Sequence, residues 1–484
     1  MLQGEHAQPR RKLGVRSALI AGIAATAVCL PAAPALAQTG PVSPTPVAGT
    51  PTLVATGTTE EIRQIADCGG TMYAVGTFTE ISGWNGSSTQ TFTRNHIFSF
   101  SDSATNQFAV TTWDPNVNGT VNTIAFSGDN CSTAYIGGQF TTVGGATAKN
   151  FAAIDTTTGA LVPGIKDNAG GQVETILGVK DGQGIQHLLV GGFFKGINGS
   201  TTDPYYASLN PLTGKDDGFV HLNISGHITF PQVKANSTEV YNQQLSHGGT
   251  LVLVEGDYTS VGGLNRRQIF MIDVSGTTAA LTGWTSPEFD GSDPNATLNP
   301  NDKYFNCGAS HPFYIHAAAW SPDDSEIYIA DTGVKPILWD GKTFPLPGLC
   351  DAAAAFPATQ TQVFSDWIAY DGCDSLYSAV ADDSALYVSG HNRWFNNQNA
   401  CNKAGPGAIP ASGLAGLTPG PTGGSLILNS GGTAGLYSRS RGHGSDDMII
   451  AAGGLWIASD NFDGGTFCGG VKGFSGLCFL PYPS

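Results

Sequence analysis

Residues 135–165 read YIGGQFTTVGGATAKNFAAIDTTTGALVPGI, from Tyr135 to Ile165. The run from Ala134 to Phe140 is β-rich and holds two glycines, the pattern of a strand that a neighbouring backbone approaches closely. Thr141 to Ala148 is polar and glycine-rich, which makes a connection. Phe151 to Asp155 is a second apolar run, Thr156 to Gly159 (TTTG) a turn, and Ala160 to Ile165 a third run. Just upstream, Thr120 to Phe126 (TVNTIAF) alternates as a strand and Ser127 to Asn130 (SGDN) supplies a tight turn. The unit therefore holds four short antiparallel strands, the content of one β-propeller blade.

The unit recurs. Its anchor, an aromatic or Leu followed by an aliphatic and small residues, appears as YAVGTF at Tyr73, YIGGQF at Tyr135, LVGGFF at Leu189, LVEGDY at Leu253, YIADTG at Tyr328, YVSGHN at Tyr387 and WIASDN at Trp456. Successive anchors lie 54 to 75 residues apart, above the roughly 40–50 of common propeller repeats, so long connections must absorb the excess. An Asp/Asn turn follows in AIDTTTG (Ile154), SLNPLTG (Leu209) and MIDVSG (Ile272), and SPDD at Ser321 and ADD at Ala381 precede their anchors. The expected fold is all-β: a seven-bladed β-propeller of four-stranded antiparallel blades. The pattern YxGGxF…VGG…DxxTGAL resembles the delta-60 repeat family of secreted bacterial β-propellers, well over Tyr73 to Asp273 and loosely beyond. The resemblance implies a fold and carries little about activity.

In chain order, residues 1–37 read as a signal peptide. Arg10, Arg11, Lys12 and Arg16 are basic, Ser17 to Leu30 is apolar, and Ala35-Leu36-Ala37 is a small-x-small cleavage site. Arg10-Arg11 leaves the choice between Sec and Tat export open. Gln38 to Pro51 is rich in Pro and Thr and reads as a mobile linker, and 52–484 as one propeller domain. Thr52 to Thr56 (TLVAT) is a strand without a local partner, and the last blade, Asp446 to Pro483, is one strand short. A propeller must leave no open edge, so the N-terminal strand is expected to close the ring as the outer strand of the last blade. Blade 5 is placed at about Phe313 to Leu349 and blade 6 at Phe364 to Leu428; DAAAAF at Asp351 reads as at most one helical turn.

The chain of 484 residues carries a formal charge of −16, about −19 without its first 37 residues. Such a surface disfavours nucleic acid and anionic lipid, and no membrane span remains once the signal is removed. Eight cysteines follow the signal: Cys68, Cys131, Cys307, Cys350, Cys373, Cys401, Cys468 and Cys478. An even number in an exported chain reads as four disulfides, with connectivity open. Cys68 and Cys131 occupy equivalent places before their anchors, Cys468 and Cys478 could close the last hairpin, and Cys307 with Cys350 and Cys373 with Cys401 are the sequential remainder. Absence of a CxxC pair argues against zinc or redox chemistry.

In a blade, the start of the innermost strand and the end of the second strand share one face, at the channel mouth. Blades 2 and 3 are bland there. The last three blades turn polar: Asp331; His391, Arg393 and Trp394; Asp460 and Asn461; with His316, Asp366 and Asp446 at innermost-strand starts. These residues are expected to face one funnel. Calcium is the cofactor that so many oxygens would suit, and a glycan would suit carboxylates beside Trp. The preferred reading is a secreted binding or scaffold protein recognising a glycan or a cell-envelope protein, with cell-wall association left open. The alternative is an extracellular enzyme acting on a polysaccharide or sugar through the acidic funnel of blades 5–7.

Overall fold

A computed structural model describes residues 40–57, 60–127, 130–228, 237–292, 307, 313–333, 349–398, 400–442, 444–461 and 467–483. Residues 1–37, expected to be a signal peptide, lie outside the described residues. Among the described residues the molecule is all-β, with two short 3-10 turns. Seven antiparallel sheets repeat one plan, in which a first strand pairs with the anchor strand and the anchor strand with a third. The first strands, called inner strands below, are Glu61–Cys68, Thr120–Ser127, Gln172–Lys180, Glu239–Leu245, Tyr314–Trp320, Leu376–Ala381 and Ser445–Ala451, in sheets 1 to 7. Each inner strand packs beside the next in chain order, and Ser445–Ala451 packs beside Glu61–Cys68.

A three- or four-stranded sheet this small cannot bury both faces alone; it needs a neighbour on each side. The apolar side chains are divided accordingly. Tyr73, Val75 and Ile97 of sheet 1 pack with Ile124, Ile136 and Ile154 of sheet 2. Tyr135 and Phe151 of sheet 2 pack with Ile176 and Val190 of sheet 3. The same sharing joins sheets 3 and 4, 4 and 5, 5 and 6 and 6 and 7. Trp456 and Phe479 of sheet 7 complete the series against Phe98 and Phe100 of sheet 1. This face-to-face succession is an architecture of propeller type.

The double glycine of the repeat has two separate causes. A Cβ on Gly137 would stand 2.3 Å from Val173 Cγ1, so the first glycine lets the next sheet approach. A Cβ on Gly138 would stand 2.2 Å from the Thr120 carbonyl oxygen, because the inner strand bulges there. Gly192 faces the Gln172 carbonyl in the same way, at 2.3 Å. Gly138→Ala is therefore expected to cost about 1–3 kcal/mol through overpacking against backbone. Urea unfolding measures this, and an unchanged midpoint would refute the steric reading.

Four expectations need correction. Regular fourth strands occur in sheets 4 and 5; in sheet 2 the fourth is a single bridge, Ile154↔Leu161, and in sheet 6 Leu417↔Leu426. Asp351–Phe356 is no helical turn. Ala352–Pro357 is the third strand of sheet 5 and Trp367–Tyr370 its fourth. Burial on both sides gives these alanines a continuous apolar run, and tertiary context overrides helix propensity. The inner strand of sheet 6 consequently starts at Leu376, not near Phe364.

The N-terminal residues differ as well. Thr52–Leu53 pairs with Ile81 and Ser82 of the strand Glu80–Trp84, outside sheet 1, and Thr52 also bridges Gly476. The edge of sheet 7 is taken instead by the run expected to be a mobile linker. Ser43 N–H donates to the Pro481 carbonyl (2.7 Å) and Val47 N–H to Phe479 (3.0 Å), while the strand expected there keeps a contact of its own with the last blade, Leu53 N–H to Ser475 (3.0 Å). Val42 is buried, with its N–H donating to Tyr387 Oη and its carbonyl accepting from Tyr437 Oη, both at 2.9 Å. Prolines lack an N–H and are suited to such an edge; the valines between them supply the apolar anchors.

Four disulfides are formed: Cys68–Cys131, Cys307–Cys350, Cys373–Cys401 and Cys468–Cys478. The first ties sheet 1 to sheet 2. Such bridges fit an oxidising compartment. Among the described residues no helix is long and apolar enough to cross a membrane.

Candidate functional site

Each inner strand carries a β-bulge after its first or second residue, which is apolar in sheets 1 to 6 and Ser445 in sheet 7. The register breaks between Ile62 and Gln64, Val121 and Thr123, Val173 and Thr175, and Val240 and Asn242. It breaks again between Ile315 and Ala317, Leu376 and Ser378, and Ser445 and Asp447. A bulge leaves one residue outside the ladder and re-aims it. The residues so freed are Arg63, Asn122, Glu174 and Tyr241 in sheets 1 to 4, then His316, Tyr377 and Asp446. All of them line one cavity of about 420 Å3 between the inner strands. That volume lies within the roughly 300–1,000 Å3 of small-molecule sites.

The wall of this cavity has two halves. In sheets 1 to 3, Arg63 Nη1 donates to Asn122 Oδ1 (2.8 Å), and Asn122 Nδ2 donates to Glu174 Oε2 (2.8 Å). Arg63 Nε also pairs with Glu61. In sheets 4 to 6 the wall is a succession of rings. Tyr241 stacks on Tyr314 (5.2 Å between centroids), Tyr314 meets His316 edge-on (4.8 Å), His316 meets Tyr377 (4.5 Å), and Tyr377 meets His391 (5.1 Å). Asp446 and Asp447 of sheet 7 join the halves. Asp447 Oδ2 accepts the Ile65 N–H at 2.9 Å, while Asp446 stands exposed to the cavity with protein all around it.

Desolvation governs the charges here. Burial, with Glu239 nearby, pushes Glu174 up to about 7, and Arg63 offsets this in part. Burial raises Asp447 to about 7. Asp446 is raised by its enclosure and by Glu61, again against Arg63. Burial and the neighbouring His391 lower His316 to about 3, so its ring is neutral near pH 7.

Of the residues expected at one funnel, His316 and Asp446 line the cavity. Asp331 and Arg393 belong to a buried cluster beside it. Asp374 accepts from Arg393 Nε (2.8 Å) and Nη2 (2.7 Å), with Arg441 Nη2 at 3.7 Å. Asp331, Asp351 and Asp371 are buried, and the Oδ2 of each has no hydrogen-bond partner. Desolvation and mutual repulsion raise Asp331 and Asp371 well above the usual carboxylate range, and burial raises Asp351 to about 8. Thr332 Oγ1 contacts Ser375, and Ser375 contacts Tyr377, which links the cluster to the cavity wall. His391 touches Tyr377, and its carbonyl accepts from Arg441 Nε at 2.8 Å.

The other expected residues lie elsewhere. Asp366 starts the outer strand of sheet 5 and interacts with Glu326, at the end of the anchor strand opposite to Asp331. Five residues of strand separate those ends by about 17 Å. Trp394 pairs with Pro410 in the outer hairpin of sheet 6 and carries the Arg393 guanidinium over its ring at 4.5 Å. Asp460 and Asn461 sit at the seam of sheets 7 and 1, where Asp460 bridges Glu61 and Asn461 N–H donates to the Glu60 carbonyl (3.0 Å). Among the described residues no group of three or more His, Cys, Asp or Glu side chains is set to hold a metal ion, so the calcium expectation finds no ligand set there.

Arg63, Asn122, Glu174, Tyr241 and Tyr377 were not expected as site residues. Aligning the inner strands as IRQ, VNT, VET, VYN, IHA and LYS exposes the signal: an apolar residue, a large polar or aromatic one, then a smaller or polar one.

No family model matches the chain, and no curated protein matches it. Solved structures similar to it include the extracellular domain of a B. thetaiotaomicron protein described as a one component system, at 9% identity and TM-score 0.44 over 90% of this chain. The chain spans 40% of the length of that protein. Others are Saccharomyces cerevisiae Sqt1, at 10% identity and TM-score 0.46 over 89% of this chain and 100% of that one, and the WD40 β-propeller domain of Doa1, at 10% identity and TM-score 0.40 over 85% and 94%. Likenesses at this level say nothing about ligand or activity.

Proposed function

We propose that the chain is a secreted seven-bladed β-propeller of the delta-60 repeat type that binds a glycan in its hub cavity. Seven sheets with seven shared cores support the blade count, and the Trp456–Phe100 contact supports a closed ring. The observation that carries the binding reading is the bulge at one equivalent position of every inner strand, aiming large polar and aromatic side chains into a single cavity. Amides of Gln64, Asn122 and Asn242 with Tyr faces opposite them suit the hydroxyls and apolar faces of a sugar ring. A panel of soluble oligosaccharides titrated into the protein, followed by tyrosine fluorescence or calorimetry, tests it. Tyr377→Ala is expected to weaken binding about tenfold or more with the unfolding temperature unchanged. Binding that survives this change and Tyr241→Ala would refute the hub as the site.

One observation favours a second reading, hydrolysis of a glycosidic bond. Glu174, held up near 7, is suited to be a general acid, and Asp446 lines the same cavity. Under this reading Glu174→Gln abolishes turnover of a bound oligosaccharide and leaves its binding intact. A wild-type protein that binds but releases no product excludes it.

A further inference from the structure

The cavity's charge is unbalanced in a way that narrows the ligand. Among the described residues Arg63 is the only arginine or lysine lining it, and Arg63 is already engaged by Glu61 and by Asn122 Oδ1. Against it stand three lining carboxyls, Glu174, Asp446 and Asp447. Glu174 receives an Asn122 amide and Asp447 the Ile65 amide, so neither is matched by a cation of its own. Asp446 is open to the cavity.

The opposite wall points the same way. Tyr241, His316 and Tyr377 line it, with Tyr314 stacked behind Tyr241. Aromatic faces attract a cation through their quadrupole, and the attraction grows as water is excluded. His316, neutral at pH 7, adds a ring without adding a competing charge. A neutral sugar would satisfy the aromatic wall and leave the carboxyls without a cationic partner. An anionic sugar would be repelled by them. A protonated amine satisfies both walls, donating charge-assisted hydrogen bonds to the carboxyls on one side and meeting ring faces on the other.

Resting on the hub as a glycan site, we propose that its ligand is an amine-bearing sugar, one whose ring carries a free ammonium group rather than an acetamide. The hydroxyls face Gln64, Asn122 and Asn242, and the ammonium lies between Asp446 and Glu174 on one side and Tyr377 on the other.

The test compares three trisaccharides by calorimetry on the folded, disulfide-intact protein: a β-1,4-glucosamine trimer, its fully N-acetylated counterpart and a glucose trimer. The glucosamine trimer is expected to bind at least tenfold tighter than either, with an advantage that shrinks as salt is added. Asp446→Asn and Glu174→Gln should each erode that advantage while leaving the weak binding of the glucose trimer in place. Unchanged binding of the glucose trimer, together with unchanged thermal unfolding, verifies that each variant is folded. If the acetylated or the neutral trimer binds as well as the amine, the amine inference falls and the glycan reading stands. If none of the three binds, both fall. If the amine binds tightly but is indifferent to both substitutions and to salt, the inference is overturned.

Discussion

Between about pH 6.5 and pH 8 the folded protein is expected to lose stability steadily. The cause is its buried carboxyls. Glu255 is fully buried, beside Tyr206 and Tyr258, and desolvation lifts it from 4.5 to about 8; the Ala318 N–H and Asn242 offset this only in part. A carboxyl raised in the folded state holds its proton there after the unfolded chain has released it. Its contribution is complete below the unfolded value, declines as pH rises above 4.5, and is lost by the folded value of about 8. Asp351, raised to about 8, and Asp447 and Glu174, raised to about 7, act with the same sign. His316, lowered from 6.5 to about 3, acts against them, but only below 6.5. Asp323, lowered to about 2 by the Ser325 and Ser321 hydroxyls, acts only at the acid end. Above 6.5 the carboxyls are therefore unopposed, and Glu255 alone contributes about 2 kcal/mol of the loss. Scanning calorimetry across this range measures it. Glu255→Gln should flatten the decline and overtake the wild type on the alkaline side. A midpoint that holds level or rises in the wild type overturns the account.

The second large effect concerns the bridge between sheets 1 and 2. Cys68 and Cys131 are separated by 63 residues, and Cys468 and Cys478 by 10. If a bridge acts by restricting the unfolded chain, the long loop contributes about 4 kcal/mol and the short one about 3. Replacing both Cys68 and Cys131 with alanine should therefore lower stability more than the same change at Cys468 and Cys478. Urea unfolding of the two double variants under oxidising conditions decides it; the reverse order would show that native-state packing, not loop length, sets their worth.

The anchors made the sheets legible because every one combines an aromatic or leucine with small residues that only close backbone approach explains. Gly137 and Gly138 belong to two different contacts, and the sequence displays both as one dipeptide. The candidate site was legible only in part. Asp446 and His316 line the cavity as expected because both lie at the start of an inner strand. Asp366 was misplaced because Ala352 to Phe356, buried on both faces, lacks the alternation that marks a strand, and missing that strand moved the frame of sheet 6. The bulged residues were hidden for a related reason: a bulge inserts one residue, and a period of two read across it assigns Glu174 or Tyr241 to no face. Trp394 carried the right chemistry, but its place in an outer hairpin was set by the Trp394–Pro410 pairing, which no local pattern announces.

The placement of Val42 to Leu53 along the last sheet has a consequence in time. Thr50 Oγ1 donates to the Leu477 carbonyl across 427 residues of sequence, and Ser43 and Val47 meet Pro481 and Phe479 over comparable spans. Loop-closure entropy grows slowly with length, so the separation itself adds little thermodynamic penalty. Contacts so remote in sequence nevertheless form slowly. A chain that emerges N-terminus first holds Ser43, Val47 and Thr50 without their partners until Leu477 to Pro481 has followed. The order of synthesis thus makes the first-made segment the last to be seated, and until then the flank of sheet 7 stays open to whatever else presents a strand.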